Sequence, residues 1–262
     1  MNNVSKREIL EKLISGEITI EEAEEKLSTN QIEMVENIVR YDLSREERTG
    51  IPEVIYAETK SSEVVYEIAK KVLKKKPIVL LSRIKEEQVE FIQKLEEDYT
   101  LEYGITKNFC RIKHKDYLLK TDKGKIGIIT AGTSDIPAAE EAKAIAEMMG
   151  CEVIIINDIG VAGIHRLFEP LQRLMKEEID VLIVAAGMEG ALPTVVTGLV
   201  NVPVIGLPIS TGYGYGGKGQ TALMSMLQSC ALGLAVVNID GGISAGAIAA
   251  KIARRRCEKK NS

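Results

Sequence analysis

Three charged side chains stand alone in a long uncharged stretch, and their positions suggest chemistry. Between Val181 and Ala250 these charged residues are Glu189, Lys218 and Asp240. An ionised group in so apolar a region costs free energy unless it is paired, hydrogen-bonded or bound to a ligand. Each follows a predicted strand or lies in the loop after one. We therefore expect a ligand site, with Glu189 as general base or substrate-orienting carboxylate, and a structural ion pair as the alternative reading.

The elements that must position these residues are five apolar, β-branched segments. Their sequences are KIGIITAG, EVIIIND, DVLIVAAG, VPVIGLP and LAVVNIDG, with helical stretches between them. This alternation predicts an α/β fold, a doubly wound parallel sheet covered by helices on both faces. In such sheets a ligand binds outside the carboxyl ends of the strands, so the residues that follow each strand are the candidates.

The first two loops carry polar groups at predicted helix starts. Thr133, Ser134 and Asp135 follow the first strand; one of them can be a helix N-cap, and the group can bind ribose or phosphate. After the second strand, glycines open a predicted helix, an arrangement typical of a phosphate cradle. The residues of this second loop are Asp158, Gly160, Gly163, His165 and Arg166. Asp158 is a candidate for ribose, a metal or a cap, and His165 can equally lie on the helix surface.

The later loops are rich in glycine. Gly187 precedes Glu189, and the loop from Ser210 has GxxxxGK spacing that ends at Lys218. A P-loop needs Ser or Thr where this chain has Gly219, so a loop that closes over an anionic ligand is favoured. The segment Thr221–Ala231 is apolar nearly all round, which predicts a helix buried in an oligomer. Composition alone suggests that Cys230, at its end, is a small inert hydrophobe.

Bulk properties exclude several classes of protein. The 262 residues carry a net charge of -4, which does not favour nucleic acid as a partner. The uncharged run 190–217 contains three prolines and many glycines, which suits a buried sheet better than a membrane span. The four cysteines show no CxxC spacing, which argues against a structural zinc site. The charged, amphipathic N-terminus is unlike a signal peptide, so we expect a cytoplasmic protein.

The chain divides into four regions by pattern. We expect a helical hairpin over 1–30, a small α/β domain over 31–122, the catalytic domain over 123–256 and a tail over 257–262. For the hairpin, packing or dimerisation is the preferred role. The role of one charged cluster in the second region stays open between solvated surface and substrate contact, and its members are Asp42, Arg45, Arg48, Glu53 and Lys60.

Residues 123–256 resemble the PurE aminoimidazole-ribonucleotide mutase domain. The resemblance rests on the order of AGTSD, AAGMEGALP, VPVIGLP, TALMSML and NIDGGISAGAIAAKIA, and it implies a three-layer, flavodoxin-like sheet. PurE proteins carry a Ser-Ala-His-Arg turn at the end of the second strand. This chain has Asn157-Asp158-Ile159-Gly160 there, so the PurE acid–base histidine has no counterpart at that place.

The whole chain is similar to the LarB family, through the N-terminal hairpin, the segment REERTGIPEVIYAETKS and the late QSCALG. The resemblance implies carboxylation of nicotinic acid adenine dinucleotide by CO₂, giving pyridinium-3,5-biscarboxylic acid mononucleotide and AMP for nickel-pincer cofactor synthesis. It implies that Cys230 adds covalently to the pyridinium ring and that Glu189 is the acid of the GMEG turn. The expected substrate contacts are Thr133, Ser134, Asp135, Asp158, Gly160, Gly163, His165, Arg166, Gly187, Ser210, Lys218 and Asp240.

The resemblance also sets expectations for cofactors and assembly. We expect Mg²⁺, with Asp158 as a candidate ligand, and no tightly bound organic cofactor. We expect a homo-oligomer, for which PurE octamers are the precedent, and no membrane or nucleic-acid partner. Two other functions remain open: a PurE-type ribonucleotide carboxylase or mutase, and a non-catalytic dinucleotide-binding scaffold.

Overall fold

The computed structural model describes residues 6–27, 32–35 and 39–260. Two helices, α1 (Lys6–Ile14) and α2 (Ile20–Leu27), form the predicted N-terminal hairpin. The hydroxyl of Thr19 accepts the backbone N–H of Glu22 at 3.2 Å, and the Glu22 carboxylate accepts the backbone N–H of Thr19 at 3.0 Å. Thr19 followed by Glu22 three residues later has the spacing of a helix N-cap, and this reciprocal pair confirms that prediction, since it satisfies two N–H groups that the helix leaves free.

A small α/β unit follows the hairpin. Its elements are β1 (Ile32–Val35), β2 (Val39–Asp42), α3 (Arg45–Thr49), β3 (Val54–Tyr56), α4 (Ser62–Leu73), β4 (Ile78–Ser82), α5 (Glu86–Gln93), β5 (Tyr99–Tyr103) and β6 (Phe109–His114). Strands β1 and β2 form an antiparallel pair, and the other four form a mixed sheet in the order β3-β4-β6-β5. One face of that sheet packs against α4 through a core that includes Val65, Ile68, Val79 and Ile112.

This unit differs from the sequence prediction in two respects. The pattern KEEQVEFIQKLEEDY predicts a helix through residue 99, but the helix ends at Gln93 and Tyr99 begins strand β5. The β1–β2 pair was not predicted. Strand β5 is stabilised by pairing with β6, in which Leu101 lies opposite Ile112. Such pairing between strands cannot be predicted from the local sequence of either strand.

The C-terminal unit is the predicted doubly wound parallel sheet. Its elements are β7 (Lys125–Thr130), α6 (Ile136–Met148), β8 (Glu152–Ile156), α7 (Phe168–Lys176), β9 (Val181–Ala186), α8 (Leu192–Thr197), β10 (Val204–Pro208), α9 (Gln220–Leu227), β11 (Leu234–Val236) and α10 (Gly242–Lys260). The strand order is β11-β10-β9-β7-β8, and all neighbours are parallel. Helices α6 and α10 cover one face, while α7, α8 and α9 cover the other.

The strand order reverses at the middle of this sheet. The chain passes from β7 outward to β8 and then returns to place β9 on the other side of β7. The connections after β7 and β9 therefore leave the sheet in opposite directions and open a crevice between them. Ligands of doubly wound folds bind at this switch point.

The two units share a hydrophobic core. Leu80 and Phe109 of the N-terminal sheet belong to the same buried cluster as Ile145 of α6, so that helix lies between the two sheets. Its other side meets α10 closely, because a Cβ at Gly246 would collide with the backbone carbonyl of Ala142. Helix α6 is thus covered on both sides.

Two features of the C-terminal helices bear on the sequence predictions. The segment predicted to form a helix buried in an oligomer contains α9, and Met224 and Leu227 on it are 69% and 66% exposed in the single chain, so burial in an oligomer stays a prediction. Helix α10 continues through Lys260, past the boundary at 256 that the sequence suggested. In the parts of the chain that the structure describes, no helix combines the length and the apolar character that crossing a bilayer requires.

Candidate functional site

A cavity of about 230 Å³ opens at the switch point, between the loops that follow β7, β8 and β9. Its position at the carboxyl ends of the strands agrees with the prediction. The residues that line it are Ala131, Gly132, Ser134, Asp135, Gly160, Val161, Ala162, Ala186, Gly187, Met188, Glu189, Ala191, Leu192 and Thr211. The structure therefore brings five predicted site residues together: Ser134, Asp135, Gly160, Gly187 and Glu189.

Asp135 is the buried carboxylate of this cavity, with 2% of its surface exposed. Its Oδ2 accepts the backbone N–H of Gly132 at 2.8 Å. Burial raises the pKa of this carboxyl group, and backbone N–H donors at Gly132 and Gly187 oppose that rise. Asp135 thus ties the turn after β7 to the turn after β9, and its side chain holds the cavity wall rather than capping α6.

Glu189 stands at the tip of the turn after β9. The turn is closed by a hydrogen bond from Gly190 N to the carbonyl of Gly187 at 2.9 Å, and Met188 N donates to the carbonyl of Thr211 at 3.1 Å. Gly190 has φ +63°, and a Cβ there would lie 2.7 Å from Cα of Ala222 on α9. Only glycine suits both conditions. The turn therefore packs closely against α9, and its exposed residue Glu189 is among those that line the cavity.

Asp240 and Ser210 form an anchor beside the cavity. Asp240 has φ +53°, and its Oδ1 accepts the backbone N–H of Ser210 at 2.8 Å. The bond joins the end of β10 to the loop after β11. The structure gives Asp240 a backbone partner, through which it positions the loop that begins at Ser210, and its substrate contact stays a prediction. Neither residue lines the cavity.

Lys218 also lies outside the cavity. It is exposed, has φ +61° and precedes α9 by two residues, after a short 3₁₀ turn at Gly214–Gly216. The predicted placement after a strand is confirmed. Since Lys218 does not line the cavity, its contact with an anionic ligand stays a prediction.

The loop after β8 differs from the predicted phosphate cradle. His165 and Arg166 belong to a 3₁₀ segment, Val161–Arg166, in which Gly163 has non-helical angles, and α7 begins only at Phe168. Both side chains are exposed and neither lines the cavity. Arg166 Nη1 instead pairs with Asp158 Oδ2 at 3.4 Å. Of this loop's predicted contacts, Gly160 alone reaches the cavity, while Gly163 is buried in the turn.

Only some of the residues predicted in the loop after β7 line the cavity. Ser134 lines the cavity, whereas Thr133 is exposed and does not. Thr211 lines the cavity and was missed by the sequence reasoning. The rule that ligands lie after the strand ends would have found it, because it stands three residues after Pro208, the last residue of β10.

Cys230 is exposed and is not among the residues that line the cavity. Its exposure contradicts the composition-based reading of an inert buried thiol. It follows the last turn of α9, whose first turn packs on the Glu189 loop. Helix α9 has eight residues, which is about 12 Å of helix, so the thiol and the cavity lie toward opposite ends of it.

The residues present do not make a magnesium site. Across residues 6–27, 32–35 and 39–260, no group of three or more His, Cys, Asp or Glu side chains is arranged to hold a metal ion. The candidate ligand Asp158 is engaged by Arg166. The expected Mg²⁺, which is commonly bound through one or two carboxylates together with substrate phosphates, stays a prediction.

Two family models match this chain. Residues 125–261 match the model described as AIR carboxylase, and residues 32–113 match the one described as LarB/PurE-like N-terminal domain. The two matches coincide with the two structural units. The combination of both in one chain is the pattern on which the resemblance to LarB was based.

Similar proteins fall into two groups. An uncharacterized protein of Methanocaldococcus jannaschii is 42% identical over 256 residues, which is 95% of this chain and 96% of that protein. Proteins described as N5-carboxyaminoimidazole ribonucleotide mutase match about half of this chain. The one from Pyrococcus horikoshii is 30% identical over 51% of this chain and 75% of its own length, and the one from M. jannaschii is 34% identical over 48% and 77%.

Proposed function

Because this chain belongs to the LarB family, in which a LarB/PurE-like N-terminal domain precedes an AIR carboxylase domain, we propose that it carboxylates the pyridinium ring of nicotinic acid adenine dinucleotide. The family places it among enzymes of carboxylase or mutase type. The proposed reaction adds CO₂ to the ring and splits the phosphoanhydride, yielding pyridinium-3,5-biscarboxylic acid mononucleotide and AMP. The observation that carries the proposal is the coexistence of both domains with an accessible cysteine at position 230.

The proposed role of the cysteine is to make the pyridinium ring nucleophilic. A pyridinium ring is electron-poor and does not attack CO₂. Addition of the Cys230 thiolate to the ring forms a C–S bond and leaves a neutral dihydropyridine whose enamine carbon is nucleophilic. That carbon attacks CO₂, a base removes the proton at the new C–C bond, and the electron pair expels the thiolate to restore the aromatic ring. One difficult step is thereby divided into easier ones.

Glu189 is the group for the proton-removal step. It lines the cavity from a turn whose backbone two hydrogen bonds hold in place. A carboxylate on such a turn can take a ring proton or balance the positive ring. Ser134, with the backbone at Gly160 and Gly187, lines the same cavity and suits the ribose and phosphate of the mononucleotide half.

The mutase alternative is disfavoured by the end of β8. The resemblance to PurE calls for an acid–base histidine there, and this chain has Asn157, which accepts a hydrogen bond from Thr130 Oγ1 at 3.2 Å. The nearest histidine, His165, is exposed and outside the cavity. A chain without that histidine lacks the proton carrier of the mutase reaction.

A direct assay tests the proposal. Purified protein is incubated with nicotinic acid adenine dinucleotide and bicarbonate, with and without Mg²⁺, and mass spectrometry follows AMP and the biscarboxylated mononucleotide. Cys230→Ala should abolish carboxylation and covalent labelling of the protein by the dinucleotide. The matched control is Cys257→Ala, since Cys257 lies on α10 with its Sγ 3.6 Å from the carbonyl of Asp122, away from the cavity. It should leave both unchanged.

Each result bears on a particular claim. Normal turnover by Cys230→Ala would exclude the covalent route. Conversion of carboxyaminoimidazole ribonucleotide, with no reaction of the dinucleotide, would favour the mutase. Binding of the dinucleotide without AMP or covalent adduct would favour the scaffold.

A further inference from the structure

The cavity at the switch point is too small for a whole dinucleotide. Its volume is about 230 Å³, whereas sites that enclose a drug-sized ligand measure about 300–1,000 Å³. Nicotinic acid adenine dinucleotide consists of two nucleotides joined by a pyrophosphate, and it is larger than a typical drug. When the nicotinate nucleotide occupies the cavity, the AMP half must lie on a neighbouring surface.

Helix α6 leads from the cavity to the N-terminal sheet. Asp135, which lines the cavity, directly precedes this helix. Glu141 lies six positions later, which is about 9 Å along the helix axis. There its carboxylate accepts a hydrogen bond from Ser82, the last residue of β4. The end of β4 is therefore close to the cavity on the scale of a dinucleotide.

Strand β4 runs toward the end of α6 that is nearer the cavity. At the start of the strand, Ile78 lines a separate cavity together with Met148, the last residue of α6. At the end of the strand, Ser82 bonds to Glu141 near the beginning of the helix. The strand and the helix thus run in opposite directions, and the chain carries Arg83, the residue after the strand, toward the carboxyl edge of the C-terminal sheet.

An aromatic ring and two cations lie at this end of the N-terminal sheet. Strand β3 is parallel to β4, and its last residue, Tyr56, lies opposite the last residue of β4 and is 46% exposed. Arg83 Nη1 pairs with Glu58 Oε2 at 3.3 Å, and Lys60 Nζ donates to the carbonyl of Tyr56 at 2.6 Å. Burial raises the pKa of Tyr56, the charge of Glu141 adds to the rise, and the charge of Arg83 opposes it. The guanidinium therefore lies near the phenol.

The loops that carry these side chains are held by hydrogen bonds to their backbones. After β3, the side-chain amide of Gln88, which is 1% exposed, donates to the carbonyls of Ala57 at 2.9 Å and Lys60 at 2.8 Å. After β4, the backbone N–H of Ile84 donates to the carbonyl of Asn108 at 2.8 Å. Side chains on loops that are already ordered lose less entropy when a ligand binds, which favours a binding role.

The chemistry of this surface suits a nucleotide. A base can stack on an exposed aromatic ring, and a guanidinium binds phosphate through two parallel hydrogen bonds. Arg83 has φ +55°, and strained residues of this kind cluster at sites that clamp a ligand. The side chains of Arg83 and Glu58 are 44% and 56% exposed, so their ion pair contributes little to stability and a phosphate can replace Glu58.

We propose that Tyr56, Lys60 and Arg83 form an adenylate subsite, which holds the AMP half of the dinucleotide while the nicotinate half occupies the cavity of the same chain. The adenine ring stacks on Tyr56, and Arg83 and Lys60 bind the phosphate. This inference rests on the proposed function, because that function supplies a substrate whose second half needs a place. It gives the N-terminal unit a role in substrate binding.

Binding of AMP, the product of the proposed reaction, tests the subsite directly. Titration calorimetry measures the affinity of the purified full chain for AMP, and steady-state assays give KM and kcat for the dinucleotide. Arg83→Asn removes the guanidinium and suits the positive φ. It should weaken AMP binding and raise KM about tenfold or more, with kcat little changed. Tyr56→Ala should do the same by about fivefold or more, whereas Tyr56→Phe keeps the ring and should bind like wild type.

Two further variants separate a loss of binding from damage to the fold. Arg173→Ala removes an exposed arginine from the last turn of α7 and should change neither AMP affinity nor KM. Glu58→Gln removes the carboxylate that pairs with Arg83, so AMP should bind at least as tightly as to wild type. A variant with a damaged fold would bind AMP more weakly.

The outcomes separate the subsite from the proposed function. Wild-type protein that carboxylates the dinucleotide, with AMP affinity and KM unchanged in Arg83→Asn and Tyr56→Ala, would overturn the subsite and leave the reaction intact. Wild-type protein that forms no carboxylated product would overturn the proposed function. In that case, AMP binding that Arg83→Asn weakens would still support the adenylate subsite, and failure of wild type to bind AMP would overturn it as well.

Discussion

The hydrogen bond between Ser82 and Glu141 joins the two units, and its removal gives a sharp test of the interface. Glu141 lies on α6 beneath the N-terminal sheet with 4% of its surface exposed, and Ser82 Oγ donates to its Oε1 at 2.8 Å. A hydrogen bond to a charged group contributes about 1.5–3 kcal/mol. Arg83 keeps a second, backbone hydrogen bond to this carboxylate. We therefore expect Ser82→Ala to lower the free energy of unfolding by about 2 kcal/mol at neutral pH.

The dependence on pH identifies the carboxylate as the cause. Burial raises the pKa of Glu141, the bonds from Ser82 and Arg83 oppose the rise, and the charge of Asp240 adds to it. A group whose pKa is higher in the folded state stabilises the fold below its ordinary pKa, and that stability is lost as pH rises through the folded value. Ser82→Ala raises the folded value further, so its cost should be larger at pH 8 than at pH 5.

Urea unfolding, followed by circular dichroism at both pH values, measures this difference. Glu141→Gln keeps an oxygen acceptor and removes the charge, so it should flatten the pH dependence and be at least as stable as wild type at pH 8. Ser62→Ala is the matched control, because Ser62 Oγ donates to the carbonyl of Glu87 at 3.1 Å within the N-terminal unit. Equal losses for Ser82→Ala at pH 5 and pH 8 would refute the role assigned to the buried charge.

Two further predictions concern residues that position the loops around the site. Gly190→Ala should lower the free energy of unfolding by about 1–3 kcal/mol, measured by thermal unfolding, because Gly190 has positive φ and a Cβ there would press on Ala222. It should also slow carboxylation. The control is Gly198→Ala, at φ -73° with no atom nearer than 3.6 Å to the added Cβ, which should leave stability unchanged or slightly raised. Asp240→Asn should keep a near-normal KM for the dinucleotide, since Asn tolerates positive φ and can still accept the Ser210 N–H, whereas Asp240→Ala should raise KM. Equal damage from both changes at Asp240 would point to its charge, and hence to direct substrate contact.

Some of the site could be predicted because it depends on local pattern. An apolar β-branched run bounded by glycine indicates a buried parallel strand, and the residue after it must then lie at the ligand-binding edge. Asp135, Gly187 and Glu189 were found in this way, and the structure places all three on the cavity. The capping pair Thr19 and Glu22 was found from spacing alone, because its two hydrogen bonds span three residues.

Other residues could not be predicted because their surroundings come from distant parts of the chain. From the local sequence, Glu141 is expected to be an exposed helix residue. In the structure the N-terminal sheet covers α6, and Ser82, 59 positions away, donates a hydrogen bond to Glu141. The hydrogen bond between Asp240 and the backbone of Ser210, 30 positions away, could not be predicted either. The sequence predicted a helix that is opened by glycines and carries His165 and Arg166, whereas the structure places both in a 3₁₀ segment and leaves them exposed.

By itself the sequence of this protein determined the order of strands and helices in the C-terminal unit and which loops end at the carboxyl edge of the sheet. Periodicity and glycine placement depend on residues that are close in sequence, so the strands and helices that they predict do not depend on which other element each one packs against. The tertiary structure decided which polar groups are paired, which helix faces stay open and how far Cys230 lies from Glu189. Those quantities depend on the length and direction of α9 and on the sheets against which the helices pack, and contacts between remote segments set them.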